Sequence, residues 1–469
     1  MNIINLIFTF ISINWFLIFT PFFNFTSFNW FLIWSFFITI LLILNHPFLD
    51  GYYFNTIINI DTYSELTLLI FTSLFIIYLY GIFNSSVKNY KELPLLLLIT
   101  YFGFTTLIVS NDLLMLYLSI ELFSLTFYLL TTIHQNYYTT EAGIKYFIYN
   151  FIAGGFYLLG CVLIYLDFGT INFVHLAELA QFGKSQFGFL FILISFFFKL
   201  SIAPFHFWTP DIYVGVLYPI TAYFTIFPKF IIGAFLLKFY IYVINVGNIN
   251  NLFLFLSVLS IFIGTIGGLN QSNIKRLLAY STISNAGFIV LLIYFGTPLS
   301  SQIFHVYVLT YIIANLGLFT SLINLNISNM LGLKNIFTLN PLGGIFLAIP
   351  ILSLAGLPPF IGFMAKFLSI FVLLSKNWFV VATVILLLSV LSLFYYLRLV
   401  HYIFFYSNNS SKFVPQDLTA DSSKDWVPTA DLYQSYIIII SNYILITSTM
   451  NPSILILISS VISNSLFIS

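Results

Sequence analysis

Residues 187–205 read FGFLFILISFFFKLSIAPF, an apolar run interrupted by Lys199 and Pro204. A helix that crosses a lipid bilayer needs about 20 predominantly apolar residues, and this run has that length and character. Proline cannot donate a backbone hydrogen bond, so Pro204 predicts a break in the helix. A charge at the bilayer centre costs about 2.5–3.5 kcal/mol on insertion scales. Lys199 therefore has either a structural partner or a function.

The composition of the whole chain predicts a membrane protein. Of its 469 residues, 60% are hydrophobic and 6% are charged, whereas soluble domains carry about 25% charged residues. The formal net charge is +1, which excludes the basic surface typical of nucleic-acid binding. The lone cysteine, Cys161, can form neither an internal disulfide nor a thiolate metal site by itself.

Long apolar runs recur along the chain and predict an all-α integral membrane protein with about fourteen transmembrane helices. They lack the alternation of about ten-residue segments that a membrane β-barrel would show. The runs are 5–23, 29–46, 63–84, 93–110, 112–133, 142–166, 187–207, 219–245, 251–269, 277–296, 303–324, 342–373, 377–405 and 434–464. The longest polar stretch, about 407–433, is too short for a catalytic domain and predicts a solvated link.

Four charged residues lie well inside apolar runs: Glu121, Lys199, Lys229 and Lys366. The alternative for each is a structural pair or a side chain that reaches the interface. Burial favours the neutral forms of lysine and glutamate, so a series of such groups can exchange protons near neutral pH. One acid and three lysines, with each lysine near a proline, favour a proton pathway over a purely structural role.

Three further residues are secondary candidates for the same pathway. Lys145 lies one turn after Glu141, where a stabilising helix pair explains it equally well. His206 follows the Pro204 break and His305 lies early in its run. Each histidine could equally make a structural hydrogen bond.

The segment LSIAPF at 200–205 has an echo in LSLAGLPPF at 352–360, where Pro358 and Pro359 interrupt a second apolar run. Each segment also has a lysine nearby. Interrupted helices in corresponding places of two halves indicate an ion pathway in transporters. The echo therefore predicts two related halves, each with a broken helix.

Three longer strings carry a family resemblance: FFFKLSIAPFHFWTPDIY (196–213), NIKRLLAYSTISNAGF (273–288) and LSLAGLPPFIGFMAKF (352–367). They resemble the subunit 2 and subunit N family of respiratory NADH dehydrogenase (complex I), one of its antiporter-like membrane subunits. DLLMLYLSIELFSLTFYLL (112–130) and TTEAGIKYF (139–147) fit the same family. The strings lie in the order expected of the family.

The resemblance implies two inverted five-helix repeats, each with one broken helix, at 93–245 and 251–405. Further transmembrane helices would occupy 1–92, and a polar loop with a last helix would occupy 406–469. Glu121 would pair with Lys199, Lys229 would be the central relay, and Lys366 would be the terminal lysine on the second broken helix.

In this interpretation, the chain is a subunit of a proton-translocating NADH:ubiquinone reductase and contains no catalytic residue, cofactor or metal. FMN, iron–sulfur clusters and ubiquinone would belong to other subunits. Its partners would be subunit 4, subunit 4L, accessory subunits and phospholipids, with protons as the transported ion. The implied location is the mitochondrial inner membrane, with a bacterial plasma membrane as the alternative.

One position departs from the family pattern. Asn285 stands in AYSTISNAG where relatives commonly have histidine, and asparagine cannot take up a proton as imidazole can. His305 is a candidate substitute. Two other functions remain open: a subunit of a stand-alone cation/proton antiporter of the Mrp type, and a structural subunit that does not conduct.

Overall fold

The structure is a computed structural model. It describes residues 51–53, 56–82, 92–180, 186–244, 250–325, 327, 329–334, 336–405 and 432–468. The predicted apolar runs 5–23 and 29–46, and most of the polar stretch 407–433, lie outside these residues.

Within this part of the chain, helices dominate and one short antiparallel hairpin precedes them. The hairpin pairs β1 (Gly51–Tyr53) with β2 (Ile58–Ile60). The helices are α1 (Thr62–Ile82), α2 (Leu93–Val109), α3 (Leu113–Thr132), α4 (Tyr137–Phe168), α5 (Phe173–Ala180), α6 (Gln186–Leu200), α7 (Trp208–Gly215), α8 (Tyr218–Phe239), α9 (Asn250–Leu269), α10 (Ile274–Phe295), α11 (Pro298–Leu325), α12 (Ile336–Leu339), α13 (Pro341–Ala355), α14 (Ile361–Ser375), α15 (Phe379–Phe404), α16 (Leu432–Met450) and α17 (Ser453–Ile468). A π-helical turn, Tyr240–Ile244, extends α8, and a 3₁₀ turn, Met330–Leu333, precedes α12.

Among the described helices, 8 are long and apolar enough to cross a membrane, or up to 9 if the bent pair α16 and α17 counts as one span. Shorter apolar helices include α2, α6, α13 and α14. Each predicted run in the described residues overlaps with at least one of these helices. The chain is therefore a multi-pass helical membrane protein, and the count of fourteen stays a prediction.

The interpretation of 434–464 as one continuous span was wrong. α16 and α17 meet at an angle of 90°. The bend falls at Asn451 and Pro452, and proline cannot continue the hydrogen-bond ladder of α16.

Burial places α8 and α11 at the centre of the molecule. The apolar window of α8 is 100% buried and that of α11 is 94% buried, whereas that of α15 is 33% buried. A helix that is apolar all round and buried on every side belongs to the core. The outer helices expose large apolar side chains such as Leu118 and Phe151, as lipid-facing surfaces require.

An ion pair fixes α1 against α8. Asp61 Oδ2, just before α1, lies 2.7 Å from Lys238 Nζ near the end of α8, and both side chains are almost fully buried. Tyr63 adds a hydrogen bond from its hydroxyl to the carbonyl of Ala234, at 3.1 Å. These contacts hold the central helix, which carries Lys229, in a defined position along its axis.

Candidate functional site

The first helix break follows α6 and separates it from α7. Three hydrogen bonds meet the last carbonyls of α6: Ser201 N–H to Phe198 at 3.1 Å, Ile202 N–H to Phe197 at 3.0 Å, and the Trp208 indole N–H to Phe198 at 2.9 Å. A helix end leaves its last four carbonyls without intrahelical partners. At membrane depth these partners have to come from the protein itself.

Lys229 satisfies a remaining carbonyl of this break. Its ammonium donates to the carbonyl of Leu200 and to the hydroxyl of Ser201. Lys229 lies on α8 directly after Pro228 and is 1% exposed. A cation at a helix C-terminus is stabilised by the partial negative charge there. The sequence-predicted central lysine therefore binds the backbone of the first break.

Lys199 lies one residue before Leu200 and has a different environment. Its ammonium is buried and has no hydrogen-bond partner in the described part of the chain. It lies 5.5 Å from the centre of the Phe123 ring on α3, within range of a cation–π attraction. Lys199 and Glu121 make no direct hydrogen bond among the described residues, and their pairing in a proton pathway stays a prediction.

Glu121 lies on the same helix as Phe123, against α4. Its Oε2 is 3.5 Å from the Ser124 hydroxyl. A Cβ at Gly154 on α4 would come within 2.6 Å of Glu121 Oε1, so glycine is what gives the carboxylate room there. The structure therefore places Lys199 against the Phe123 ring of α3, and Glu121 of the same helix against α4.

The second break separates α13 from α14 and repeats the first in outline. α13 ends at Gly356, whose φ of 82° lies in the left-handed region that glycine adopts readily. Lys366 Nζ, on α14, donates to the carbonyls of Leu354 and Ala355, each at 2.8 Å. The chain's own lysine thus caps this helix end.

Asn285 lies beside Lys366, where a histidine was expected from the resemblance. Its amide donates to the Ser281 carbonyl at 2.8 Å and its oxygen accepts from the Tyr307 hydroxyl at 2.7 Å. Asn285, Tyr307 and Lys366 line one cavity of about 20 Å³, which is large enough for about one water molecule. The amide and the phenol therefore form a polar wall facing the terminal lysine.

The two candidate histidines lie apart from this wall. His305 is 1% exposed, and its Nδ1 is 2.8 Å from the Ser301 carbonyl while its Nε2 is 3.4 Å from the Tyr63 hydroxyl. His206 is buried within the first break, and its carbonyl accepts from Thr209. His305 contacts α1 through Tyr63 rather than Asn285, so the structure does not join the two in one hydrogen bond.

Lys145 lies in a separate, half-exposed cluster at the start of α4. It forms ion pairs with Glu141 at 2.8 Å and with Asp211 at 3.1 Å, and Arg276 reaches Asp211 at 3.4 Å. The ion pair between Glu141 and Lys145, one helical turn apart, that the sequence offered as an explanation is therefore present. Exposed pairs of this kind contribute about 0.2–1 kcal/mol each.

Sequence reasoning missed four residues that lie at these sites: Asn150, which lines a cavity together with Lys199, and Gly154, Tyr63 and Tyr307. Asn150 gave a signal, because it is a polar side chain inside the apolar run YFIYNFIAGGFYLL. The other three are ordinary members of apolar helices. Only tertiary packing brings Gly154 to Glu121, Tyr63 to His305 and Tyr307 to Asn285.

Comparison with known proteins shows the family of the chain. Residues 110–392 match the family described as NADH:quinone oxidoreductase/Mrp antiporter, TM. The chain is 37% identical over 334 residues to the NADH-ubiquinone oxidoreductase chain 2 of Rhizopus oryzae, an alignment that covers 67% of this chain and 64% of that one. It is 32% identical over 385 residues to the NADH-quinone oxidoreductase subunit N of a Wolbachia strain from Brugia malayi, covering 80% and 83% of the two chains.

A solved structure shares the fold. A chain of respiratory complex I from Thermus thermophilus, solved with bound aureothin, superposes with a TM-score of 0.79 at 24% identity, covering 96% of this chain and 98% of that one. The family match includes more than half of the chain. This protein therefore belongs to the NADH:quinone oxidoreductase/Mrp antiporter transmembrane family.

Proposed function

We propose that this member of the NADH:quinone oxidoreductase/Mrp antiporter family is a proton-translocating membrane-arm subunit of a respiratory NADH:ubiquinone oxidoreductase. The observation that carries the proposal is the placement of Lys199, Lys229 and Lys366 at the two helix breaks, inside a bundle whose relatives are complex I subunits. Buried ionisable residues inside a membrane are costly and mark ion pathways.

In the proposed pathway, protons pass along Glu121, Lys199, Lys229 and Lys366. Glu121 and Lys199 form the first station: Lys199 lies against Phe123 of α3, and Glu121 belongs to the same helix. Lys229 and Lys366 hold their ammonium groups against helix-end carbonyls, so each can be stabilised as a cation within an otherwise apolar core. Movement of charge at one station changes the electrostatic energy of the next, because screening in the core is weak.

The finer assignments of this proposal rest on the family resemblance. About fourteen helices would include two inverted five-helix repeats, at 93–245 and 251–405, around the described breaks. Flavin, iron–sulfur clusters and ubiquinone would be bound by other subunits, so this chain would contribute to the enzyme without a redox site. Its neighbours would be subunits 4 and 4L and accessory subunits, in the mitochondrial inner membrane.

The alternative function is that of an Mrp-type antiporter subunit, because the family description names Mrp antiporters together with NADH:quinone oxidoreductases. The same buried lysines would serve either protein. The two functions differ in what the chain assembles with, and that difference can be measured directly.

The test is mild detergent solubilisation followed by native gel separation and an in-gel stain for NADH oxidation. We expect the chain in a large band that oxidises NADH. A chain that migrates apart from all NADH-oxidising activity would contradict the respiratory assignment and support the antiporter.

A further inference from the structure

A small cavity beside Lys199 carries an inference about how this lysine is connected. The cavity has a volume of about 20 Å³. Aromatic rings form most of its wall, including Phe123, Phe127 and Trp208, and Lys199 and Asn150 also line it. A single water molecule needs about 10–15 Å³ of such space and two to four polar partners. The volume fits one water.

The polar groups that line this cavity are complementary. The Lys199 ammonium and the Asn150 side-chain oxygen are both buried, and neither has a hydrogen-bond partner among the described residues. Each residue is 8% exposed. An ammonium only donates hydrogen bonds and an amide oxygen only accepts them, so one water can accept from the first and donate to the second.

Asn150 also lies on the helix face that links Glu121 to Lys199. Asn150 lies four residues before Gly154 on α4, so the two occupy the same face of the helix. Gly154 is the residue against which the Glu121 carboxylate lies. One face of α4 therefore runs from the carboxylate to the cavity at Lys199.

We propose that Asn150 and Lys199 together bind one water molecule, and that Asn150 is the positioning residue of this site. This proposal rests on the proposed function. The water would be the hydrogen-bond partner of Lys199, which has none among the described residues. Asn150 orients the water so that a lone pair faces the Lys199 ammonium. Asn150 itself neither takes up nor releases a proton.

The test is electron cryo-microscopy of the intact complex at a resolution that shows ordered waters, for the native chain and for Asn150→Leu. Leucine branches at the same atom as asparagine but is bulkier, and it has neither a donor nor an acceptor. We expect a density peak at about 2.7–3.2 Å from Lys199 Nζ in the native complex, and no peak in the variant. Proton pumping per NADH in the variant should fall by roughly tenfold.

A matched control is Asn442→Leu on α16. Asn442 is also buried and its side-chain oxygen also lacks a partner in the described residues, but it lies outside the site. We expect this control to keep the water at Lys199. A second variant, Asn150→Ser, retains an oxygen and the space for water, and should restore part of the pumping.

Two results would overturn the inference: no density at Lys199 in the native complex, or the same density in Asn150→Leu. The native map decides even if the leucine variant does not assemble. Failure of the proposed function would look different, because the water would be present and lost with Asn150 while neutralisation of Lys199 left pumping intact.

Discussion

The two helix breaks meet the same need with different lysines. At the first, Lys229 extends from α8 to the Leu200 carbonyl, and Lys199, the lysine beside the break, has no hydrogen bond to any described residue. At the second, Lys366 itself binds the Leu354 and Ala355 carbonyls. At the first break, therefore, the lysine that caps the helix end and the lysine beside the break are two different residues. At the second break, Lys366 alone caps the helix end.

This difference has a consequence for proton transfer. A lysine that loses its proton weakens every charge-assisted hydrogen bond that it donates. In the part of the chain that the structure describes, Lys199 donates no such bond, whereas Lys366 donates two to a helix end. Proton exchange at Lys366 should therefore be coupled to the backbone of the second break, and exchange at Lys199 should not.

The largest expected effect is on assembly, and it separates the two breaks. Lys366→Met leaves the Leu354 and Ala355 carbonyls without the lysine's hydrogen bonds, at about 1–3 kcal/mol each. Lys199→Met removes a buried ammonium that has no hydrogen-bond partner among the described residues. We expect less assembled complex and an earlier loss of the native gel band on heating for Lys366→Met alone. Equal losses in the two variants would refute the division of roles between the breaks.

A smaller effect should follow from crowding Glu121. In Gly154→Ala, the new Cβ would lie 2.6 Å from Glu121 Oε1, so the carboxylate must shift. We expect the rate of coupled NADH oxidation to fall by roughly threefold to tenfold, with assembly retained. The neighbouring Gly155→Ala is the control, since nothing lies within 4 Å of its Cβ position, and an equal loss there would remove Glu121 from the explanation.

The smallest effect is expected at Lys145. Its ion pairs with Glu141 and Asp211 are half-exposed, so Lys145→Gln should cost about 0.2–1 kcal/mol of stability. It should change the proton-to-NADH ratio by less than about twofold, because the Lys145 ammonium pairs with half-exposed carboxylates and lies outside the buried lysine sites. A loss of pumping as large as that for Lys199 would move Lys145 into the pathway.

Much of the fold follows from sequence, because span length and apolarity determine which segments can cross lipid. Pro204 and the Pro358–Pro359 pair located both breaks for the same physical reason, the lost backbone donor. The bend between α16 and α17 was missed although Asn451–Pro452 is a turn signal. The apolar residues on either side outweighed that pair.

The candidate site was less predictable than the fold. Charges at membrane depth identified Lys199, Lys229 and Lys366, because their insertion cost is independent of tertiary structure. Their partners depend on how helices pack. Nothing in the spacing of Lys229 indicated that it would bind a carbonyl at Leu200, and nothing around Asn150 indicated that it would share a cavity with Lys199.

The most direct test of the account is the ratio of protons pumped to NADH oxidised in membrane vesicles that contain the complex with Lys199→Met. Lys376→Met, at an exposed position after α14, serves as the control. The account predicts that pumping and coupled quinone reduction fall together by about tenfold or more for Lys199→Met, with the native gel band unchanged and the control unaffected. A fully assembled Lys199→Met complex that pumps at the native ratio would contradict it.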